Sequence, residues 1–125
     1  MIVKIELPPV NMTLSPNSKN GKSYLSTLNA KKSDKNIGFF YAKKERSEKL
    51  QQDRNYPVNI VFFSSTRNFA DLDNLLSASK NRMDGIASAL GIDDRQFRPI
   101  TIDGQYRKGD AGMIFEISIS DNDER

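Results

Sequence analysis

The sequence contains no cysteine and no histidine. Disulfides, thiolate or imidazole zinc sites, cysteine or serine-histidine nucleophiles and imidazole acid-base chemistry are therefore excluded. Any catalysis must run on carboxylates, lysines, hydroxyls and a hard metal ion. Long apolar runs are also missing. None approaches the ~20 residues of a membrane span, and Met1 opens no signal-peptide pattern, so the expectation is a cytoplasmic protein with no membrane contact. At 125 residues with 37% hydrophobic content, the chain is long enough for one domain with its own core.

Charge is present but unevenly spread. Residues 1–50 hold ten Lys/Arg against four acids, and residues 51–125 hold nine against twelve, so a net charge of +3 conceals a basic front and an acidic back. The basic part comprises Lys19, Lys22, Lys31, Lys32, Lys35, Lys43, Lys44, Arg46 and Lys49. That composition suits a surface that meets phosphate, or a solvated loop with lysines for solubility.

Along the chain, Ile2–Leu7 alternates as a strand with Val3, Ile5 and Leu7 on one face, and Pro8 and Pro9 stop it. Residues 11–36 lack any sustained period and predict a long basic loop, with Asn20 and Gly21 as a hairpin tip. A charged surface helix is expected from about Phe39 to Asp53. Phe39 and Phe40 read as its core anchors, with base stacking as the alternative. Val58–Phe63 is apolar almost throughout and predicts a central strand buried on both faces.

After a polar connection containing Arg67, the apolar positions Leu75, Leu76, Met83, Ile86, Ala87 and Leu90 fall at helical spacing. Residues 96–102 predict a strand with an edge position or bulge at Pro99, residues 103–112 a loop, and Met113–Ile119 a half-buried antiparallel strand. The order predicts a single α/β (α+β) domain over residues 1–125, with a mixed β-sheet, two main helices and a frayed acidic tail at 121–125.

Four carboxylates, Asp71, Asp73, Asp93 and Asp94, bracket the second helix. Asp71 and Asp73, two residues apart, lie on one side of an extended segment and could share a hard cation such as magnesium. On spacing alone the preferred expectation is that one of them caps the helix that follows.

Asp71, Leu72, Asp73, Asn74 and Leu75, followed by Lys80, Asp84 and then Asp93, Asp94, Arg95 and Gln96, resemble the signature of the RusA family of crossover-junction endodeoxyribonucleases. Leu7, Pro8, Pro9 and Asn11 are similar to that family's start. The resemblance covers most of the chain from residue 56 onward and is thin between 13 and 50. It implies a Mg²⁺-dependent nuclease, with Mn²⁺ as a substitute, acting as a homodimer on branched DNA and cutting four-way junctions by paired incisions. It further implies that Asp71, Asp73 and Asp94 are catalytic metal ligands and that a helical lysine assists. Family members carry that lysine four residues after the second Asp, where this chain has Ser77. Lys80 takes the role if three residues are inserted. Lys19, Lys22, Lys31, Lys32, Lys35 and Arg67 are the expected DNA-binding residues. A non-catalytic branched-DNA-binding protein on the same fold is the alternative.

One difficulty is already visible. A straight helix over residues 74–90 is ~25 Å long and keeps Asp94 away from Asp73. Either the helix breaks near Gly85 and folds back, which is the preferred expectation, or a partner chain supplies Asp94.

Overall fold

The computed structural model describes residues 1–15 and 24–120. Lys19, Lys22, the Asn20-Gly21 turn and the tail at 121–125 lie outside the described residues. Four strands form one mixed sheet: β1 (Ile2–Leu7), β2 (Tyr56–Ser64), β3 (Phe97–Tyr106) and β4 (Gly112–Ser118), in the order β1-β4-β2-β3. Three helices complete the single α+β domain: α1 (Tyr24–Glu45), α2 (Leu72–Ala78) and α3 (Lys80–Ala89). None of the described helices is long and apolar enough to cross a membrane.

β1 behaves as its alternation predicts, with Val3, Ile5 and Leu7 buried and Ile2, Lys4 and Glu6 exposed. β4 lies antiparallel between β1 and β2, and β3 runs parallel to β2 at the edge of the sheet. Pro99 therefore stands in an edge strand, as a residue with no N–H to give requires. β3 continues four residues past the expected end at Ile102, so the loop begins at Arg107 instead of Asp103.

Three expectations are corrected. First, residues 24–36 are not loop: they form the first half of α1, which ends at Glu45 and leaves 46–53 non-helical. The face that α1 buries is made of Asp34, Gly38 and Ala42, spaced i, i+4, i+8. Small and polar residues on the inner face give no apolar period to read. Second, β2 is buried on one face only. Tyr56, Val58, Ile60 and Phe62 point into the core, while Pro57 and Asn59 are exposed and Val61 and Phe63 half-buried. Third, Phe39 and Phe40 are not core anchors, since both rings are exposed on α1.

The expected helix break exists, but at Ser79. Its buried hydroxyl donates to the Leu76 carbonyl at 2.7 Å. Such back-bonding to the preceding turn favours a bend, and α2 and α3 meet at Ser79, whose ψ of 0° departs from the helical range. Gly85 has another task. A Cβ there would stand 2.0 Å from the Lys35 carbonyl oxygen, and one on Gly38 would stand 2.0 Å from that of Arg82. The two glycines thus let the backbones of α1 and α3 touch.

Behind that contact lies a buried ion pair. Arg82 Nη2 donates to Asp34 Oδ1 at 2.8 Å and to the Pro9 carbonyl at 3.2 Å, and Nη1 donates to the Pro8 carbonyl. Arg82 and Asp34 are 1% and 2% exposed. One guanidinium therefore fastens α1, α3 and the chain leaving β1. The apolar core is assembled from β1, β2 and β4 against Ala42, Met83, Ile86, Ala87 and Leu90.

Candidate nucleic-acid and metal site

β1, β2 and β3 run in one direction, so their carboxyl ends and the start of β4 share one rim of the sheet. Ligands of open α/β sheets bind outside the carboxyl ends of the strands. The segment from Ser64 to Asp71 lies on this rim. Ser64 Oγ donates to the Thr66 carbonyl at 2.7 Å and accepts from the Thr66 N–H, turning the chain as it leaves β2. The Arg107 N–H donates to the Ser64 carbonyl at 2.8 Å and the Gly109 N–H to that of Ser65 at 3.3 Å, tying the β3–β4 turn to the same segment.

Two guanidinium groups gather here on aromatic faces. Arg67 stands 4.5 Å above the Tyr106 ring and Arg107 3.8 Å above that of Phe63. Stacking holds the planar cation in place while leaving N–H groups for phosphate. Arg107 is also ion-paired with Asp110 at 3.0 Å. Beside them opens a cleft of about 220 Å³ whose walls include Pro9, Val10, Phe62, Asn68 and Ala70. The Arg82 bonds to Pro8 and Pro9 thus fix one wall of it.

Asp71 and Asp73 border this cleft in sequence and sit at the start of α2. They do not share an extended segment as their spacing suggests: Asp71 is extended, whereas Asp73 is already in the first helical turn. Asp71 holds the N-cap position, yet its carboxylate makes no capping bond, and only its carbonyl accepts, from the Leu75 N–H at 3.0 Å. Asp73 Oδ1 accepts from the Asn74 N–H at 3.0 Å. Both side chains are exposed. α2 is seated by Leu72, which packs over Gly104: a Cβ at 104 would meet the Leu72 Cδ2 at 3.2 Å.

Magnesium commonly keeps several waters and takes one or two carboxylates plus substrate phosphate. An Asp71 carboxylate free of capping duty, with Asp73 in the adjoining turn, fits that donor set. Lys80, the first residue of α3, is exposed on the far side of the Ser79 bend.

Asp93 and Gln96 form a capping box around the short 3₁₀ turn Asp94–Gln96. The Asp93 carboxylate accepts from the Arg95 N–H at 2.9 Å, and Gln96 Oε1 accepts from the Asp93 N–H at 2.9 Å. Gln96 Nε2 also donates to the Arg54 carbonyl at 2.8 Å. These residues are accounted for by structure alone. The backbone bond from Arg95, then its side chain, hold the Asp93 carboxyl below its usual range. Asp94 is the opposite case. Desolvation first, then the hydrogen bond and charge of Asp93 and the charge of Asp84, push its carboxyl above the ordinary value of 3.8.

Asp94 therefore keeps company with Asp93 and Asp84, not with Asp71 and Asp73. Among the described residues no group of three or more carboxylates is arranged to hold a metal ion. The bend at Ser79 does not fold Asp94 back onto Asp73, contrary to the preferred expectation.

Of the expected DNA-binding residues, Lys31 and Lys32 are exposed on α1, Lys35 is ion-paired with Asp84 at 3.3 Å, and Arg67 lies on the rim. Sequence reasoning overlooked Arg107 and Lys108. Their signal was a basic pair directly before the Gly109 turn. Arg82 was overlooked as well, although a basic residue three after Ser79 and four before Ile86 occupies the inward face of its helix.

No family model matches the chain. An uncharacterized protein of Xylella fastidiosa is 55% identical over 38 residues, a stretch that is 30% of this chain and 25% of that relative's length.

Proposed function

We propose that the protein is a Mg²⁺-dependent, structure-specific endodeoxyribonuclease of the RusA kind. In this reading it works as a cytoplasmic homodimer that resolves four-way DNA junctions by paired phosphodiester hydrolysis. The observation that carries the reading is the pairing of an uncapped, exposed Asp71 and neighbouring Asp73 with the stacked Arg67 and Arg107 at the carboxyl rim of the sheet. Carboxylates alone would repel DNA, and arginines alone would bind without a metal. Together they suit a metal-assisted reaction on a phosphodiester.

Asp71 and Asp73 hold the metal, and Arg67, Arg107 and Lys108 hold the flanking phosphates. Bound Mg²⁺ supplies Lewis-acid stabilisation of charge at phosphorus and activates water. Lys80 adds a positive charge that complements the transition state. Asp94 is contributed by the second protomer, a role favoured by its separation from Asp73 within one chain.

Incubation of a labelled synthetic four-way junction with the protein and Mg²⁺ or Mn²⁺ should give symmetric paired nicks. Asp73→Asn should abolish cutting while binding stays equal or tightens, because the change removes a ligand and a negative charge beside phosphate. Unchanged cutting by Asp73→Asn would reject the site. The lack, among the described residues, of a third carboxylate grouped with Asp71 and Asp73 favours one rival, a branched-DNA-binding protein that does not cut. Junction binding by the wild type with no nicks under either metal would establish that rival.

A further inference from the structure

The outward face of α1 takes no part in the proposed reaction. Gly38 faces α3, and at 3.6 residues per turn Leu25, Lys32, Phe40 and Lys43 share the opposite side, flanked by Phe39 and Lys44. Phe40 is 62% exposed, Phe39 41% and Leu25 67%. Single exposed apolar residues are ordinary. Two adjacent rings among lysines on one helix face form a patch. Phe40 and Tyr41 make a T-shaped contact, with centroids 5.4 Å apart and ring planes at 87°.

The charge on this face is mainly positive. Of the two acids in α1, Asp34 is buried against Arg82 and Glu45 is the last residue. Lys35 is already paired with Asp84. Lys32, Lys43 and Lys44 are exposed; Glu45 and Glu6 stand beside Lys44, whereas no acid of α1 lies on the side of Lys32 and Lys43. From Lys32 to Lys44 the helix rises ~18 Å, the length of about five nucleotide steps at ~3.4 Å per strand residue. A second copy seated here would set lysine against lysine, which like-charge repulsion opposes. Aromatic rings between lysines are the pattern of a platform for unpaired bases.

We propose that the outward face of α1 binds a single unpaired strand of nucleic acid, with bases stacked on Phe40 and Phe39 and phosphates along Lys32, Lys43 and Lys44. The inference rests on the nucleic-acid partner of the proposed function but not on its cutting chemistry.

The chain has no tryptophan, so Phe40→Trp introduces one reporter. In EDTA, titration of that variant with a 16-nucleotide oligo(dT) should quench its emission saturably. With the otherwise wild-type chain, anisotropy of the labelled oligonucleotide reports affinity. Phe39→Ala/Phe40→Ala should weaken binding roughly tenfold or more. Lys32→Gln/Lys43→Gln/Lys44→Gln should lower the slope of log K against log salt by about 2, since each neutralised phosphate on a single strand contributes ~0.7.

Binding by the wild type with unchanged affinity in both variants, or no quenching of the indole emission of Phe40→Trp, overturns the proposal and leaves the nuclease reading standing. No oligonucleotide binding by the wild type also overturns it. Conversion of a dimer to a monomer by the double ring variant, seen by sedimentation velocity, would assign the face to a second copy and overturn it too. Failure of the wild type to nick junctions bears on the nuclease reading alone.

Discussion

Asp94 and Asp93 are adjacent, yet their protons are held in opposite ways. Asp93 spends its charge on the Arg95 N–H and guanidinium, whereas partial desolvation and the charges of Asp93 and Asp84 make Asp94 hold its proton more tightly than usual. A carboxyl raised in the folded state favours folding as pH falls through its folded value and opposes folding above it. Asp94→Asn should therefore leave stability at pH 7 unchanged or raise it, by no more than about 0.5 kcal/mol because solvent screens exposed charges. The advantage should vanish below the ordinary carboxyl value of 3.8, where the wild-type group is protonated as well. Denaturant melts at pH 7 and pH 3 check this, and a marked loss of stability at pH 7 would refute it. Junction cutting, measured alongside, should disappear. Loss of cutting without loss of stability is the mark of a ligand.

Gly85 poses the reverse problem, where local preference and packing disagree. Alanine favours an exposed helix interior over glycine by about 1 kcal/mol. A Cβ at 85, however, would meet the Lys35 carbonyl oxygen at 2.0 Å, and backbone cannot swing aside as a side chain can. Packing wins. Gly85→Ala should destabilise the fold by about 3 kcal/mol, read as a lower urea midpoint.

At the scale of elements, the joint between α1, α3 and β1 depends on Arg82 and Asp34. A buried pair is weak evidence for net stability, but removing one partner strands the other in a dry interior. Arg82→Met should cost about 3–5 kcal/mol, and Arg82→Met/Asp34→Leu clearly less than that. Equal losses in the single and double variants would reject the coupling. Because Arg82 also holds Pro8 and Pro9, the single variant should loosen one wall of the cleft beside Asp71. The bend at Ser79 works on the same scale. It divides the run into two helices, with Asp73 in the first turn of α2 and Lys80 at the start of α3.

For the whole molecule, the question is how the proposed metal site would acquire a third carboxylate. Mixed dimers answer it. If the site takes Asp71 and Asp73 from one protomer and Asp94 from the other, an Asp73→Asn protomer joined to an Asp94→Asn protomer holds one intact site and one doubly broken site. Co-refolded mixtures should then nick one strand, although neither variant cuts alone. If Asp94 acts within its own chain, neither site is intact and the mixture stays inactive. A nicking assay on the mixed preparation decides between the two arrangements.

The sequence determined what periodicity and residue chemistry could carry. The alternation of β1 and β4, the edge position implied by Pro99 and the mixed sheet were all legible, because each depends on neighbouring residues. α1 was legible only from residue 39, because its buried line of Asp34, Gly38 and Ala42 acquires meaning from the helix packed against it. Gly85 is ambiguous in the sequence for the same reason: a glycine marks a bend or a close approach, and only the facing backbone says which. In the stretch from Asp71 to Asp94, sequence supplied the carboxylates but not their company. The tertiary structure decided that Asp71 does not cap, that Asp93 does, and that Asp94 is not grouped with Asp71 and Asp73, since hydrogen-bond geometry and distance across the fold are not properties of spacing along a chain.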